Sequence, residues 1–152
     1  MFSIINFFME DKYKIFDDRF IKDFNEKTFS GYKKSDVVSI LFKSIDTNKV
    51  ENACNWITEC IISGYTFKIW EKILLYAFKT IHINNPKLPQ FLLNKNTILF
   101  NQYKRLNTKN KDIVLILRNS QMIRNLFFDV ITTLCSSSKT KKYDKIPKIT
   151  ND

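Results

Sequence analysis

The fold is decided by residues 48–64, which read NKVENACNWITECIISG. Apolar side chains recur there every three or four residues, the spacing that places them on one face of a helix. Asn48 with Glu51 three residues later has the spacing of a capping box, and Ser63-Gly64 is typical of a helix end. The segment therefore predicts one complete amphipathic helix, whose apolar positions are Val50, Ala53, Cys54, Ile57, Cys60 and Ile61.

Similar patterns on either side predict two more helices. The preceding helix begins with Ser35 as its N-cap and ends at Asp46-Thr47. The following helix is capped by Thr66 and ends near Asn84-Asn85-Pro86. Three amphipathic helices joined by loops of about three to five residues predict a helical bundle.

The rest of the chain extends this bundle. Pro86 and Pro89 bracket a predicted extended connection, and a fourth helix is expected from Thr97 to Leu106. Residues 111–135 predict two helices that are broken at Asn119-Ser120, where the serine caps the second. We therefore expect an all-α protein, a bundle of about five to seven helices.

Two segments flank the predicted helical domain, which covers residues 35–135. Residues 1–34 are rich in aromatic side chains and predict an arm that packs on the domain, with a short helix near 17–24 and a turn at Ser30-Gly31. Residues 136–152 are polar and basic, which predicts a flexible tail.

Composition limits the class of protein. The 152 residues are 44% hydrophobic, which is enough to bury a core without disulfide bonds or metals. The longest convincing apolar run, at residues 113–117, is far shorter than the roughly 18–20 residues of a membrane span, and no membrane partner is expected.

Cys54, Cys60 and Cys135 lie in apolar helical patterns and predict reduced, buried thiols. These features favour an intracellular protein of the cytoplasm, nucleus or a viral factory, or a virion component.

The sequence lacks the residues that most enzymes need. With Gly31 and Gly64 as its only glycines, the chain cannot form a phosphate-binding glycine loop. Cys54 and Cys60 are six residues apart and His82 is the only histidine, so neither a zinc site nor a thiol nucleophile is expected. We therefore expect no enzyme, no metal and no cofactor.

The charge is distributed unevenly along the chain. Residues 1–92 are nearly neutral, whereas the last 60 residues carry +8 of the net charge of +10. Basic side chains gathered on one surface can neutralise phosphates, and Tyr103 and Tyr143 can stack on bases. The alternative is a merely solvated face, because the abundance of Lys, Asn, Ile and Phe indicates an A/T-rich genome that supplies surface lysines. The candidate DNA-binding residues are Lys104, Arg105, Lys109, Lys111, Arg118, Arg124, Lys139, Lys141, Lys142 and Lys145, with Lys148 beside them.

Residues 32–89 carry an ordered set of short motifs. They resemble the helical region that follows the ATPase module in the RarA/MgsA-type replication-associated recombination ATPases, AAA+ relatives of the clamp loaders. The matching residues are Asp36-Val37-Val38-Ser39, Lys43-Ser44-Ile45, Ala53-Cys54-Asn55-Trp56, Ser63-Gly64-Tyr65, Ile73-Leu74 with Ala77, and Asn85-Pro86.

The chain also departs from that family. It has no counterpart of the ATPase module, and the arginine-rich third helix of the family is replaced by apolar residues such as Ile69-Trp70. The resemblance implies a detached helical domain of the kind that serves as a collar and oligomerisation element, without ATP hydrolysis. Trp56 and Trp70 are expected to be anchors in the core or between subunits, because each buried indole N–H needs a partner.

Two functions follow as expectations. The first is a non-enzymatic helical accessory protein of DNA replication, repair or genome handling, which self-associates and contacts DNA through its basic C-terminal part, independently of base sequence. The alternative is a structural or scaffold protein of a large DNA virus, a minor virion component that binds other proteins through the aromatic arm.

Overall fold

Three consecutive helices form the first half of the bundle. In the computed structural model, α1 covers Lys34–Asp46, α2 Val50–Ile62 and α3 Thr66–Tyr76. A π-helical turn, Ala77–Ile81, continues α3. The three helices predicted from apolar periodicity are thus present. The structure describes residues 14–81, 84–106 and 113–140.

The two loops of this first half are built alike. Asn48 and Gly64 have positive φ angles of 54° and 78°. Each lies directly after the C-cap residue of a helix, Thr47 for α1 and Ser63 for α2. The amides of Lys49 and Tyr65 donate to carbonyls five residues back, at 2.9 and 3.0 Å, as in a Schellman motif. Asn48 therefore ends α1 instead of capping α2, and the predicted capping box with Glu51 is wrong.

The predicted N-caps of α1 and α3 are also displaced. The N-cap residues are Lys33 and Tyr65 instead of Ser35 and Thr66. Both helices start earlier than predicted, because the Val37 amide already donates to the Lys33 carbonyl at 3.2 Å and the Ile69 amide to the Tyr65 carbonyl at 2.8 Å.

The second half contains α4, Leu88–Leu106, the short α5, Ile113–Ile116, and α6, Gln121–Ser136. The extended connection predicted between Pro86 and Pro89 is wrong, because Pro86 and Lys87 form a turn in which the Leu88 amide donates to the Asn85 carbonyl at 3.1 Å. Pro89 then lies in the first turn of α4, where its missing N–H costs no hydrogen bond. The predicted break before α6 is confirmed, since the Ser120 hydroxyl accepts from the Ile123 amide at 3.3 Å.

The core surrounds α6, which packs against α1, α2 and α4. Its side chains include Phe127 and Ile131, both with no exposed surface, and they meet Leu41 of α1 and Ile57 of α2 in one continuous cluster. The described residues hold six helices and no strand, with one isolated bridge between Lys27 and Lys33. The prediction of an all-α helical bundle is confirmed for this part of the chain.

The three cysteines differ in their burial. Cys54, Cys60 and Cys135 form no disulfide, and the last two are buried while Cys54 is half-buried. Burial raises the pKa of the Cys60 thiol to about 12. None of the helices in the described ranges has the length and apolar character needed to cross a bilayer.

Candidate functional site

A short turn before α1 is tied firmly to the end of α2. The Lys27–Lys33 bridge closes this turn, and the Phe29 amide donates to the Ser63 hydroxyl at 2.8 Å. The Tyr65 hydroxyl donates to the carbonyl of Phe24 and, at 3.1 Å, to that of Lys27. These bonds join the turn to the Schellman loop between α2 and α3 and so fix the positions of Lys27 and Lys33.

A buried carboxylate holds the tip of the same turn. Glu59 of α2 is 8% exposed and accepts from the Ser30 amide at 2.7 Å and from the Ser30 hydroxyl at 2.9 Å. Because both carboxylate oxygens are used within the fold, Glu59 serves to position the turn. The turn predicted at Ser30-Gly31 is confirmed, with Gly31 at a φ of 87°.

One groove of about 900 Å³, whose surface is mainly apolar, is lined in part by lysines of this turn, of α1 and of α3. Lys27 and Lys33 come from the turn, Lys34 opens α1, and Lys72 belongs to α3. We call this the lysine groove; its other lining residues are Glu26, Ser35, Val38 and Ser39.

Lys34, which lines the lysine groove, is partly buried and has two other lysines close by. The pKa of Lys34 lies below its ordinary value, because the amine is partly buried and because Lys68 and Lys72 lie close to it. Its Nζ atom is 4.0 Å from the centroid of the Tyr65 ring, whose face attracts a cation. The positive end of the α1 dipole points to the same place. A bound anion would relieve the repulsion between these lysines.

No carboxylate in the described ranges forms an ion pair with these lysines, since the two ion pairs found there join Arg19 to Asp17 and Lys95 to Asp129. Lys27, Lys33 and Lys72 are exposed. An anion could therefore approach these amines without first breaking an ion pair of the described fold.

The structure describes five of the ten predicted C-terminal basic residues, and these five differ in exposure. Lys104 and Arg105 are exposed at the end of α4. Arg124 is half-buried and its Nε donates to the Arg118 carbonyl at 2.9 Å, while the Lys139 amine donates to the Cys135 carbonyl. The remaining five residues lie outside the described ranges; they are Lys109, Lys111, Lys141, Lys142 and Lys145.

Arg118 lies inside the protein, so its assignment to a DNA-contacting surface needs correction. It is only 3% exposed, and its guanidinium carbon is 5.6 and 5.8 Å from the ring centroids of Phe24 and Phe29. Arg19 covers the same two rings at 4.8 and 4.7 Å. The pair of arginines thus packs residues 14–30 onto the bundle.

The two tryptophans occupy different environments. Trp70 is 2% exposed and its indole N–H donates to Asn96 at 2.8 Å, so it is a core anchor within one chain. Trp56 is half-buried, with its ring centroid 5.5 Å from that of Tyr32 in an edge-to-face arrangement. Trp56 remains close enough to the surface to contact a partner.

Comparison with protein-family models finds no match to this chain, and no curated protein matches it. The resemblance to the helical region of the RarA/MgsA-type ATPases therefore stays a prediction from the quoted motifs.

Sequence reasoning missed the lysine groove. Its members come from residues 1–34 and 35–92, two segments that each looked nearly neutral when charges were counted along the chain. The signal available was the pair Lys33-Lys34 at a helix start, together with Lys68 and Lys72 four residues apart on one helix. Nothing in the sequence showed that these pairs face each other.

Proposed function

We propose that this protein is a non-enzymatic, intracellular accessory protein of DNA replication, repair or genome handling that binds nucleic acid through its phosphates. The lysine groove is the observation that carries the proposal. Its lysines come from three separate parts of the fold, and the firmly tied turn before α1 carries two of them. Phosphate contacts of this kind give affinity that is independent of base sequence.

The basic C-terminal part remains in the proposal as a second point of contact. Lys104 and Arg105 are exposed, and most of the other candidate lysines of that part lie outside the described ranges.

Replacing Lys27, Lys33 and Lys72 together with alanine is expected to weaken binding of labelled DNA at least about tenfold at 50–100 mM salt. The logarithm of the affinity falls as the logarithm of the salt concentration rises, and each lost phosphate contact makes this slope less steep by about 1. The slope of the triple variant should therefore be less steep by about 3. Fluorescence anisotropy at several salt concentrations measures both quantities.

A matched control removes the same charge elsewhere. Lys43, Lys49 and Lys79 are exposed and lie outside the lysine groove. The triple alanine variant at these positions should keep most of the wild-type affinity and slope. Equal effects of the two triple variants, or no binding by the wild type at about 50 mM salt, would disprove the proposed phosphate site.

Self-association is part of the same proposal. Leu75 and Phe78 lie three residues apart at the end of α3 and are 56% and 54% exposed, which supports a contact with a second copy. Leu75→Asp should lower the molar mass measured by light scattering, whereas Leu93→Asp, at an equally exposed position of α4, should not. A wild-type monomer at micromolar concentration would contradict self-association.

The second candidate function is a scaffold protein of a large DNA virus. It is favoured by Phe16 and Phe20, which are 84% and 58% exposed although they are large and apolar. Such side chains suit contact with another protein. A chain that self-associates but binds no DNA in the salt titration would favour this candidate over the first.

A further inference from the structure

We infer that Phe67, Phe100 and Tyr103 form a stacking platform for the bases of a single-stranded nucleic acid whose phosphates lie in the lysine groove. The inference rests on the proposed function and adds the class of nucleic acid. It also assigns a site to three side chains that the phosphate contacts leave unused.

The three rings form one cluster between α3 and α4. The centroid of the Phe67 ring is 5.5 Å from that of Phe100 and 5.0 Å from that of Tyr103. Phe100 and Tyr103 are nevertheless 41% and 39% exposed. The Trp70–Phe127 pair shows what a purely structural contact looks like in this fold, because both of its rings are almost fully buried.

Basic side chains stand beside the platform. Lys104 is exposed and follows Phe100 by four residues, which places the two side chains on one face of α4. On α3, Phe67 is followed directly by Lys68, which lies near Lys34 of the lysine groove. Consecutive helical residues point about 100° apart, so α3 carries the platform on one flank and the groove on the other.

This arrangement favours a single strand over a duplex. Aromatic side chains stack on any base, but only when the face of that base is free, and in a duplex both faces are covered by neighbouring base pairs. The lysine groove alone would bind both forms, since both carry phosphates. The platform is therefore the part of the site that distinguishes a single strand from a duplex.

The test compares an oligothymidylate of about 20 nucleotides with a duplex of the same length. Wild-type protein should bind the single strand more tightly. Phe100→Leu and Tyr103→Leu, which keep apolar bulk and lose the ring, should each lower single-strand affinity about 5- to 100-fold and leave duplex affinity unchanged. The salt slope should stay constant, because stacking releases no counterions.

Phe16→Leu is the matched control, since it removes an exposed aromatic ring outside the platform. Circular dichroism checks that each variant is folded. A readout on the wild-type chain keeps the inference testable if a variant fails to fold: photo-crosslinking to an oligonucleotide with 5-bromodeoxyuridine should label Phe100 or Tyr103.

Three results would overturn the inference. They are equal affinity for single strand and duplex, Phe100→Leu and Tyr103→Leu binding like Phe16→Leu, and crosslinks that lie only outside the platform. None of the three would change the salt slope expected for the lysine-groove variant, so the proposed function would still stand. Absence of binding to either oligonucleotide at about 50 mM salt would instead overturn the proposed function itself.

Discussion

Trp70→Ala is expected to lower the free energy of unfolding by about 3–5 kcal/mol, the range for removing a large aromatic side chain from a packed core. Trp70 joins three helices: it belongs to α3, its indole N–H donates to Asn96 of α4, and its ring meets Phe127 of α6 edge to face at 5.7 Å. The substitution therefore opens a cavity where the two halves of the bundle meet. Urea denaturation followed by circular dichroism measures the loss.

Trp56→Ala is the control for this prediction. Trp56 is half-buried and has Tyr32, itself 52% exposed, as its aromatic partner, so its replacement should cost about 1–2 kcal/mol. If the two tryptophan variants lost equal stability, Trp70 would not be the central anchor of the core.

Gly64→Ala is expected to cost about 1–3 kcal/mol of unfolding free energy. Gly64 has a φ of 78°, a conformation that costs an L-residue roughly 1–2 kcal/mol. A Cβ at this position would also lie 2.5 Å from the Ile21 Cδ1 atom and 3.0 Å from the Leu115 Cδ2 atom. Both atoms are terminal methyl groups of flexible side chains, which can shift at small cost, so this close approach adds at most about 1 kcal/mol to the backbone strain.

Gly31→Ala separates the cost of backbone strain from the cost of the close contact with Ile21 and Leu115. Gly31 has a similar φ of 87°, but a Cβ there would meet no atom within 4 Å. Its replacement should cost about 1 kcal/mol, since backbone strain is partly offset by the lower entropy of the unfolded chain. Thermal or urea unfolding of the two variants side by side measures the difference. Equal losses would show that the close approach to Ile21 and Leu115 carries no energy.

Helices were predictable from the sequence, but their ends were less so. Apolar side chains at helical spacing located α1, α2, α3 and α6, because a helix that buries one face must show that period. Asn48 was assigned to the wrong helix because an asparagine is equally suited to start a helix or, at positive φ, to end one. Only the backbone conformation distinguishes these two roles.

The candidate site was the least predictable part. The distribution of charge along the chain predicted that the C-terminal basic residues contact DNA. One of them, Arg118, is instead buried against Phe24 and Phe29. Lys33 and Lys72 lie 39 positions apart in near-neutral segments and still line one groove. A count of charges along the sequence cannot show that two distant lysines are neighbours in the fold.

The sequence by itself determined an all-α chain with an apolar core and a helix break at Ser120, because each of these depends on spacing or on local hydrogen bonding. Tertiary structure alone decided which charges are exposed and which are neighbours. The lysine groove exists because Tyr65, Ser63 and Glu59 hold the turn before α1 against the end of α2. Electrostatic interaction depends on distance in space, and only the folded chain sets that distance.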